Sequence, residues 1–178
     1  MRVTTIIAAI AILAPLHASA EAEQADGFTS DFPDDQCDFR TVGGNAYFPL
    51  RPGLQRFYDN NECVAEGECD EQERLQITVT HRTKHIKIWD DGVKRIIPTR
   101  VIEEREWQNG RLVEVSYNYF AACGRGRARD VYYFGEAVYV YEYLPNGEVQ
   151  VTHPGAWLAG RDGAEPGIIM PGGAFLLG

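Results

Sequence analysis

Four closely spaced glutamates are the main candidates for acid–base chemistry in this sequence: Glu103, Glu104, Glu106 and Glu114. A carboxylate-dependent hydrolase needs a pair of such groups, one of them buried enough to raise its pKa. Arginines lie among these glutamates, so the simpler interpretation is a solvated, charged face. A hydrolase that uses carboxylates of the hairpin at residues 103–114 is kept as the alternative.

Two further groups of residues have the types that bind metal ions. On one straight strand His81 and His85 would lie ~13 Å apart, which is too far for two ligands of one ion. With His153, they are expected at the surface. A stretch rich in carboxylates and amides could bind calcium, but its spacing is not that of an EF-hand, so we expect a solvated loop and no cofactor, with calcium as the alternative. The stretch comprises Asp59, Asn60, Asn61, Glu62, Glu66, Glu68, Asp70, Glu71 and Glu73.

Four cysteines favour disulfide bonds over zinc binding or nucleophilic catalysis: Cys37, Cys63, Cys69 and Cys123. An even number of cysteines in an exported protein usually forms disulfides, and the closely spaced C-x2-C pair of zinc sites is missing. Of the three possible pairings we favour Cys63–Cys69, which closes a short acidic loop, and Cys37–Cys123. The G-x-S-x-G motif of serine hydrolases is also missing. We therefore predict no catalytic residue.

The net charge of −9 disfavours nucleic-acid binding, because an acidic protein repels phosphate backbones. The arginine-rich residues 124–129 lack the ending of a phosphate-binding loop. We interpret them as a turn whose arginines pair with the acidic loop.

The N-terminus predicts a signal peptide at residues 1–20. Arg2 precedes an apolar run, residues 3–16, and Ala18-Ser19-Ala20 is a small-x-small cleavage site of the kind that follows such a run. The run is shorter than the ~20 residues that span a bilayer. We expect no transmembrane segment and a secreted or periplasmic protein. Residues 21–44 are predicted to form an acidic extended arm anchored by Cys37, and residues 45–178 a single β domain with a loop-rich C-terminal segment.

Alternation of β-branched and aromatic residues predicts an all-β fold. Strands are indicated at residues 76–80, 112–119, 131–134 and 137–144, since strand side chains alternate between two faces. The sequences Asn109-Gly110, Asn146-Gly147 and Asp90-Asp91-Gly92 are typical of tight turns between antiparallel strands. We therefore expect an antiparallel meander of roughly seven to nine strands, forming a curved sheet or partial barrel.

The two Asn-Gly turns also predict which residues face each other across the strands. With a two-residue loop at Asn109-Gly110, Trp107 would pair with Leu112 and Arg105 with Glu114. With the same loop at Asn146-Gly147, Leu144 would pair with Val149 and Glu142 with Val151.

Aromatic residues on adjacent strands are the last candidate site. Large aromatic side chains dominate buried sheet faces, so most should form the core. A strongly curved sheet would leave some of them lining an apolar groove, which is the usual form of a ligand site. The candidate groove residues are Tyr117, Tyr119, Tyr132, Phe134, Tyr141 and Tyr143.

Several segments together give the chain a resemblance to a family of exported bacterial proteins with no assigned function. They include Tyr47-Phe48-Pro49-Leu50 followed by Pro52-Gly53, the Asn109-Gly110 hairpin, and Pro166-Gly167-Ile168-Ile169-Met170-Pro171. The first segment also looks like that of exported proteins with lipocalin-like half-barrels. The resemblance implies an exported β domain and no particular reaction. Family members continue with more strand after the last segment, so this chain is expected to be short at its C-terminus.

The function predicted from the sequence is non-catalytic binding of an apolar small molecule or an envelope component on the curved, aromatic-rich sheet. The alternatives are the carboxylate-dependent hydrolase and a purely structural or adhesive module. The sequence alone does not give the oligomeric state.

Overall fold

The computed structural model describes residues 37–90, 92–125 and 128–172. All of them belong to one unit of the chain. The predicted signal peptide, most of the acidic arm and the residues from Gly173 onward lie outside the described part, so the expectations for them stay predictions.

Four long antiparallel strands joined by tight turns make up the body of the protein. The main sheet has eight strands in the order β10-β7-β6-β5-β4-β3, with β8 and β9 also paired to β7. The sheet does not close on itself, and the predicted all-β fold with a curved antiparallel sheet is confirmed. In chain order the elements are β1 (Gly43–Gly44), β2 (Pro49–Leu50), β3 (Gln55–Asp59), α1 (Asn61–Ala65), β4 (Glu73–Asp90), β5 (Val93–Gln108), β6 (Arg111–Arg125), β7 (Ala128–Tyr143), β8 (Val149–Thr152), β9 (Trp157–Leu158) and β10 (Gly167–Met170).

The turn between β5 and β6 has the predicted form, with one change in register beyond it. Asn109 and Gly110 both have positive φ, 49° and 78°, as a type I′ turn requires. Trp107 lies opposite Leu112, as predicted, but Glu114 lies opposite Glu106 and not opposite Arg105. The predicted Arg105–Glu114 pair is wrong because an extra residue on β6 forms a β-bulge and shifts the following register by one.

The turn between β7 and β8 is longer than predicted. Tyr143 pairs with Val149 and Glu142 with Gln150, so the predicted Leu144–Val149 and Glu142–Val151 pairs are wrong by one residue. The N–H of Gly147 donates to the carbonyl of Leu144 at 2.9 Å. This turn therefore starts one residue earlier, because Pro145 has the fixed φ that suits its second position.

The sheet buries side chains on both of its faces. We call one of them the Phe39 face: Phe39 comes from the arm and packs in a core with Ile86, Tyr119, Tyr132 and Phe134. The ring of Phe39 lies edge-on to Tyr132 at 5.2 Å and to Phe134 at 5.1 Å between centroids, an arrangement that aromatic pairs prefer.

The arm enters where β5 and β6 separate. Pairing between them stops short of the end of β6, and Arg40 exchanges two backbone hydrogen bonds of 2.9 Å with Ala122 instead. The predicted Cys37–Cys123 disulfide holds the arm against β6. Cys37 is therefore not the only anchor of the arm, since Phe39 fills the gap between the separated strands.

The opposite face, which we call the Leu50 face, is covered by the segment around β2. Leu50 is fully buried there, against Val79, Ile102 and Phe120. Asn45 holds this segment in place.

Asn45 connects the two segments that are most distinctive in the family resemblance. Its Oδ1 accepts a hydrogen bond from the N–H of Phe48 at 2.9 Å. Its Nδ2 lies within 3.0–3.3 Å of the carbonyl oxygens of Arg129, Met170 and Pro171. The start of the β domain is thereby joined to the segment around β10.

The C-terminal segment links the two sides of the four-strand body. β8, β9 and β10 pair with successive parts of the outer edge of β7. Ala159 is fully buried and donates its N–H to Phe134 of β7 at 2.9 Å, while Gly160 packs against the backbone of β4 at Lys87. One short segment can reach both β4 and β7 only because the sheet between them curls toward the Phe39 face.

Candidate functional site

A groove opens on the Phe39 face, next to the core that Phe39 fills. It has a volume of about 530 Å³, within the usual range of small-molecule pockets. β4, β6, β7 and the segment that follows β8 form its walls. Its lining residues are Lys84, Tyr119, Glu136, Ala137, Ala156, Trp157, Leu158, Arg161, Asp162 and Ala164. We call it the Lys84 groove.

Lys84 is the main polar feature of this groove. Its ammonium donates a hydrogen bond to the hydroxyl of Tyr119 at 3.2 Å and lies 4.2 Å from the centroid of the same ring. The side chain is half-buried. Among the residues that the structure describes, no carboxylate lies within ion-pair distance of Lys84. Within the described residues, the hydroxyl and the aromatic face of Tyr119 are the groups that stabilise its charge.

A bulge in β4 and the buried Arg100 fix the position of Lys84. Between Val79 and Thr83 the register of β4 against β5 shifts by two residues, which bends the strand without exchanging its faces. The guanidinium of Arg100 donates to the carbonyl oxygens of Thr80 and Arg82 at 3.3 and 3.2 Å.

Arg100 is also tied to the arm and is almost completely buried, with 5 % of its surface exposed. It donates to the carbonyl of Thr41 at 2.8 Å and to the Thr41 hydroxyl at 3.3 Å. Burial lowers the pKa of Arg100, yet a guanidinium keeps its charge in proteins. Arg100 thus donates hydrogen bonds to two carbonyl groups of the bulge, where the pairing of β4 with β5 is interrupted.

Two glycines let the C-terminal segment form the other wall. Gly135 has a φ of 127°, and a side chain there would meet the carbonyl oxygen of Trp157. Gly160, with a φ of 79°, lies so close to β4 that a Cβ would meet the carbonyl oxygen of Lys87. Larger residues at these positions would push β9 and the following loop away from the sheet.

The six candidate groove aromatics fall into three environments. Tyr119, Tyr132 and Phe134 lie in the core around Phe39, and Tyr119 also lines the Lys84 groove. Tyr117 is half-buried on the same face, with Arg82 5.1 Å from its ring. Tyr141 is half-buried too, and Tyr143 is exposed.

The sequence did not point to several residues that line the Lys84 groove, among them Lys84, Leu158 and Arg161. The one indication of Lys84 is strand alternation: it lies two residues before the buried Ile86 and therefore on the same, inward side of β4. Leu158 and Arg161 enter through the return of the C-terminal segment, for which the local sequence carries no signal.

Three of the four candidate glutamates, Glu104, Glu106 and Glu114, gather on the Leu50 face, whereas Glu103 lies opposite Tyr117 on the Phe39 face. The bulge in β6 places Glu114 directly opposite Glu106, and Glu104 lies two residues further along β5. Burial raises the pKa of Glu104, and the negative charges of Glu106, Glu136 and Glu114 raise it further. The pKa of Glu114 is raised first by burial and then by the negative charges of Glu106 and Glu136. The expectation of a fully solvated charged face is therefore wrong for Glu104, which is only partly exposed.

A short chain of polar side chains lies beside these glutamates. The Tyr133 hydroxyl donates to Oδ1 of Asn118 at 2.5 Å, and Nδ2 of Asn118 donates to Oγ of Ser116 at 2.9 Å. Burial and the neighbouring Glu136 raise the pKa of Tyr133. The phenol stays neutral and acts as a donor.

The candidate metal ligands are spread over the molecule. His81 and His85 are exposed on β4, while Nδ1 of His153 lies 2.6 Å from the carbonyl of Val138. In residues 37–90, 92–125 and 128–172, no three His, Cys, Asp or Glu side chains are arranged to hold a metal ion. Protein donors already use part of the acidic loop, for example the N–H of Glu73, which bonds to Oδ1 of Asn60.

The acidic loop is closed by the predicted Cys63–Cys69 disulfide. It lies next to the β5–β6 turn, since Gln72 and Asn109 are hydrogen-bonded to each other. Gly124, the first residue of the arginine-rich segment, lies near the other end of β6, opposite Arg129 of β7, roughly 45 Å away along an extended strand. The predicted pairing with the acidic loop is therefore wrong for Arg129; for Arg125 and Arg127, whose side chains lie outside the described part of the chain, it stays a prediction.

Within the described residues, no helix has the length and apolar character needed to cross a bilayer. Comparison of the chain with family models, with curated proteins and with solved structures finds no match.

Proposed function

We propose that this chain is a non-catalytic binding domain that holds a small amphipathic anion in the Lys84 groove. The ligand class is an apolar molecule with one anionic head group, such as a fatty acid. The observation that carries the proposal is the position of Lys84: the ammonium of this half-buried lysine lies over the ring of Tyr119, in a groove that has both apolar and charged lining residues.

The electrostatics of Lys84 favour an anionic head group. An ammonium that is partly removed from water gains most from a partner that carries the opposite charge. Arg161 lines the same groove and adds a second cation, while Asp162, also in the lining, orients the head group by repulsion. An anion near Lys84 would accept a charge-assisted hydrogen bond from the ammonium. Such a bond is stronger than the one that the ammonium donates to water.

The walls of the groove favour an apolar body. Leu158 and the alanines at positions 137, 156 and 164 provide apolar surface, whereas the ring of Trp157 packs edge-on against Tyr133 at 5.2 Å between centroids. Burial of apolar ligand surface contributes roughly 25 cal/mol per Å². A hydrocarbon chain of moderate length fits a volume of about 530 Å³.

A second cavity suits such a ligand less well. It has a volume of about 450 Å³ and lies at the acidic end of the sheet. Its cation, Arg74, is already placed over the ring of Trp107 at 5.8 Å. Asp59, Glu73 and Glu106 also line it, and their carboxylates repel an anion.

Displacement of the dye ANS by a panel of fatty acids tests the proposal. We expect displacement by anionic amphiphiles and about ten-fold weaker binding by Lys84→Gln, since a hydrogen bond to a charged group contributes about 1.5–3 kcal/mol. Lys87→Gln removes the same charge from an exposed site on the same strand and should leave the affinity unchanged. Failure of every anionic amphiphile to displace the dye, or equal losses in the two variants, would refute the proposal.

The proposed location is outside the cytoplasm, secreted or periplasmic. Two disulfides are compatible with an oxidising compartment, and the N-terminal sequence supports export. Recovery of the chain in the cytosolic fraction with its leader attached would contradict this location. The resemblance to exported bacterial proteins stays a prediction.

A carboxylate-dependent hydrolase is the second candidate function. It is favoured by the raised pKa of Glu104 and Glu114 on one face of the sheet, since such enzymes use one protonated and one ionised carboxyl group. The cavity beside Glu104 has only about 60 Å³, which is much smaller than most ligand pockets. Hydrolysis of a glycoside panel that disappears in both Glu104→Gln and Glu114→Gln would support this candidate over the first.

A further inference from the structure

Six of the 17 basic residues of the chain, including every lysine, lie in one hairpin. All three lysines of the protein lie between residues 84 and 94, and residues 81–100 contain six Lys or Arg against two Asp. This segment carries a formal charge of +4, whereas the whole chain carries −9. It includes the tip of the hairpin formed by the end of β4 and the start of β5.

The outward side of this tip is apolar as well as basic. Trp89 is 65 % exposed, which makes it the most exposed large apolar side chain among the described residues, and Ile96 is 55 % exposed. In the register of the hairpin Trp89 lies opposite Lys94, and Lys87 lies opposite Ile96. Two cross-strand pairs therefore each combine one apolar and one cationic side chain on the same face.

The fold does not need these outward side chains. The alternate residues of the hairpin, Ile86, Ile88 and Ile97, point into the core around Phe39 and are almost fully buried. Val93, next to the turn, is a further apolar residue that is 64 % exposed. Exposed apolar residues that do not contribute to the core mark an interaction surface when they are clustered.

We propose that the outward side of this tip, formed by Lys87, Trp89, Lys94 and Ile96 with Val93 at the turn, docks on an anionic lipid surface. Tryptophan is enriched at membrane interfaces, and lysines next to such a residue are attracted to acidic head groups. The remainder of the chain is acidic and is repelled by the same surface. The charge distribution therefore favours an approach to the membrane with the outward side of this hairpin, where Lys87 and Lys94 lie on either side of the acidic sequence Asp90-Asp91.

The size of the surface favours a lipid over a folded protein partner. A stable protein interface buries about 800 Å² on each side, far more than three apolar side chains at the end of a two-stranded ribbon provide. Shallow insertion into a bilayer needs only a small apolar surface together with charge attraction. Lipid is therefore the partner that this tip fits.

Sedimentation with vesicles tests the inference on the purified protein. We expect binding to vesicles of phosphatidylglycerol and phosphatidylcholine, and at least ten-fold weaker binding to phosphatidylcholine alone. Lys87→Gln and Lys94→Gln should each weaken binding roughly five-fold, and the double variant about 25-fold. Trp89→Ser should weaken it by a similar factor and should remove the quenching of tryptophan fluorescence by brominated lipids.

Two control variants separate this surface from general effects of charge and hydrophobicity. Phe57→Ser removes an apolar side chain of similar exposure at the other end of the sheet, and Arg111→Gln removes an exposed cation there. Both should bind vesicles like the wild type. Lys84→Gln should also bind normally, so the docking surface and the Lys84 groove can fail independently.

Three outcomes would overturn the inference. The first is equal binding to anionic and neutral vesicles, and the second is an equal loss in the control variants. The third is binding to dextran sulfate as tight as binding to vesicles, with no quenching by brominated lipids, which would assign the surface to a soluble polyanion.

Discussion

The two ends of the four-strand body differ in charge and in the way they are held together. β4 begins beside the acidic loop and ends in the basic hairpin tip, and β5 runs back from the tip to the glutamates. At the acidic end most contacts are local: Cys63 and Cys69 are six residues apart, and Asn60 donates to the carbonyl of Glu71 at 2.8 Å. The charged residues of that end are therefore part of its own structure.

The basic end depends on contacts between residues that are distant in the chain. Cys37 is joined to Cys123 across 86 residues, Phe39 fills the gap between separated strands, and Gly160 packs against β4. The core lies on the inner side of the hairpin, so the outer side is available for a partner. The charged residues of the acidic end are therefore used in its own local contacts, whereas the outer side of the basic end is exposed and available for binding.

The two ends should differ most in the stability that each disulfide contributes, and removing one disulfide at a time measures this difference. Replacing Cys37 and Cys123 by Ser should lower the free energy of unfolding by about 4–5 kcal/mol, because the bridge closes a loop of 86 residues and loop entropy grows with length. Replacing Cys63 and Cys69 by Ser should lower the free energy of unfolding by about 2 kcal/mol, because that loop spans only six residues. Urea unfolding measures both variants.

Titration of free thiols in the native protein checks the premise of this prediction. We expect only trace thiol in the wild type. A larger loss of stability from the short loop than from the long one would show that the acidic end, and not the basic end, depends on its bridge.

The next largest effect concerns Arg100, which lies where the two ends meet. Arg100→Met should lower the free energy of unfolding by about 3 kcal/mol, because it leaves the carbonyl groups of Thr80 and Arg82 without their donors in a buried site. Arg105→Met, on the same strand, removes an exposed arginine that pairs with Glu103 at 2.6 Å. It should change stability by less than about 1 kcal/mol.

Lysine at position 100 distinguishes a role of geometry from a role of charge. Arg100→Lys keeps the charge but loses the planar fork that reaches several carbonyl groups at once. We expect it to recover less than half of the loss in Arg100→Met, measured by the same urea unfolding. Full recovery would show that the positive charge alone holds the bulge.

The parts of this structure that the sequence predicts are those set by local chemistry. Strand alternation and Asn109-Gly110 predicted the antiparallel sheet and one turn, and the cysteine spacing predicted both bridges. The register failed at the β6 bulge and at Pro145, because one inserted or displaced residue shifts every later pair. Lys84 was missed as a site residue, since the groove exists only after the C-terminal segment returns to β4.

The smallest expected effect concerns the glutamates of the acidic end and depends on pH. The folded-state pKa of Glu104 is raised by burial and then by its acidic neighbours. Folding therefore favours the protonated carboxyl group. Its contribution to the free energy of unfolding is fully present below the unfolded-state pKa of about 4.3. The contribution is lost as the pH rises through the folded-state pKa. Glu104→Gln should thus be more stable than the wild type at pH 7, by about 0.5–1 kcal/mol from relief of like-charge repulsion across the strands, and this gain should disappear near pH 4. Thermal unfolding at the two pH values measures it, with Glu142→Gln, an exposed glutamate of β7, as the control for removing one negative charge. A gain in Glu104→Gln that is equal at both pH values, or no larger than that of Glu142→Gln, would mean that the acidic end stores no repulsion and that its charges resemble those of an ordinary solvated surface.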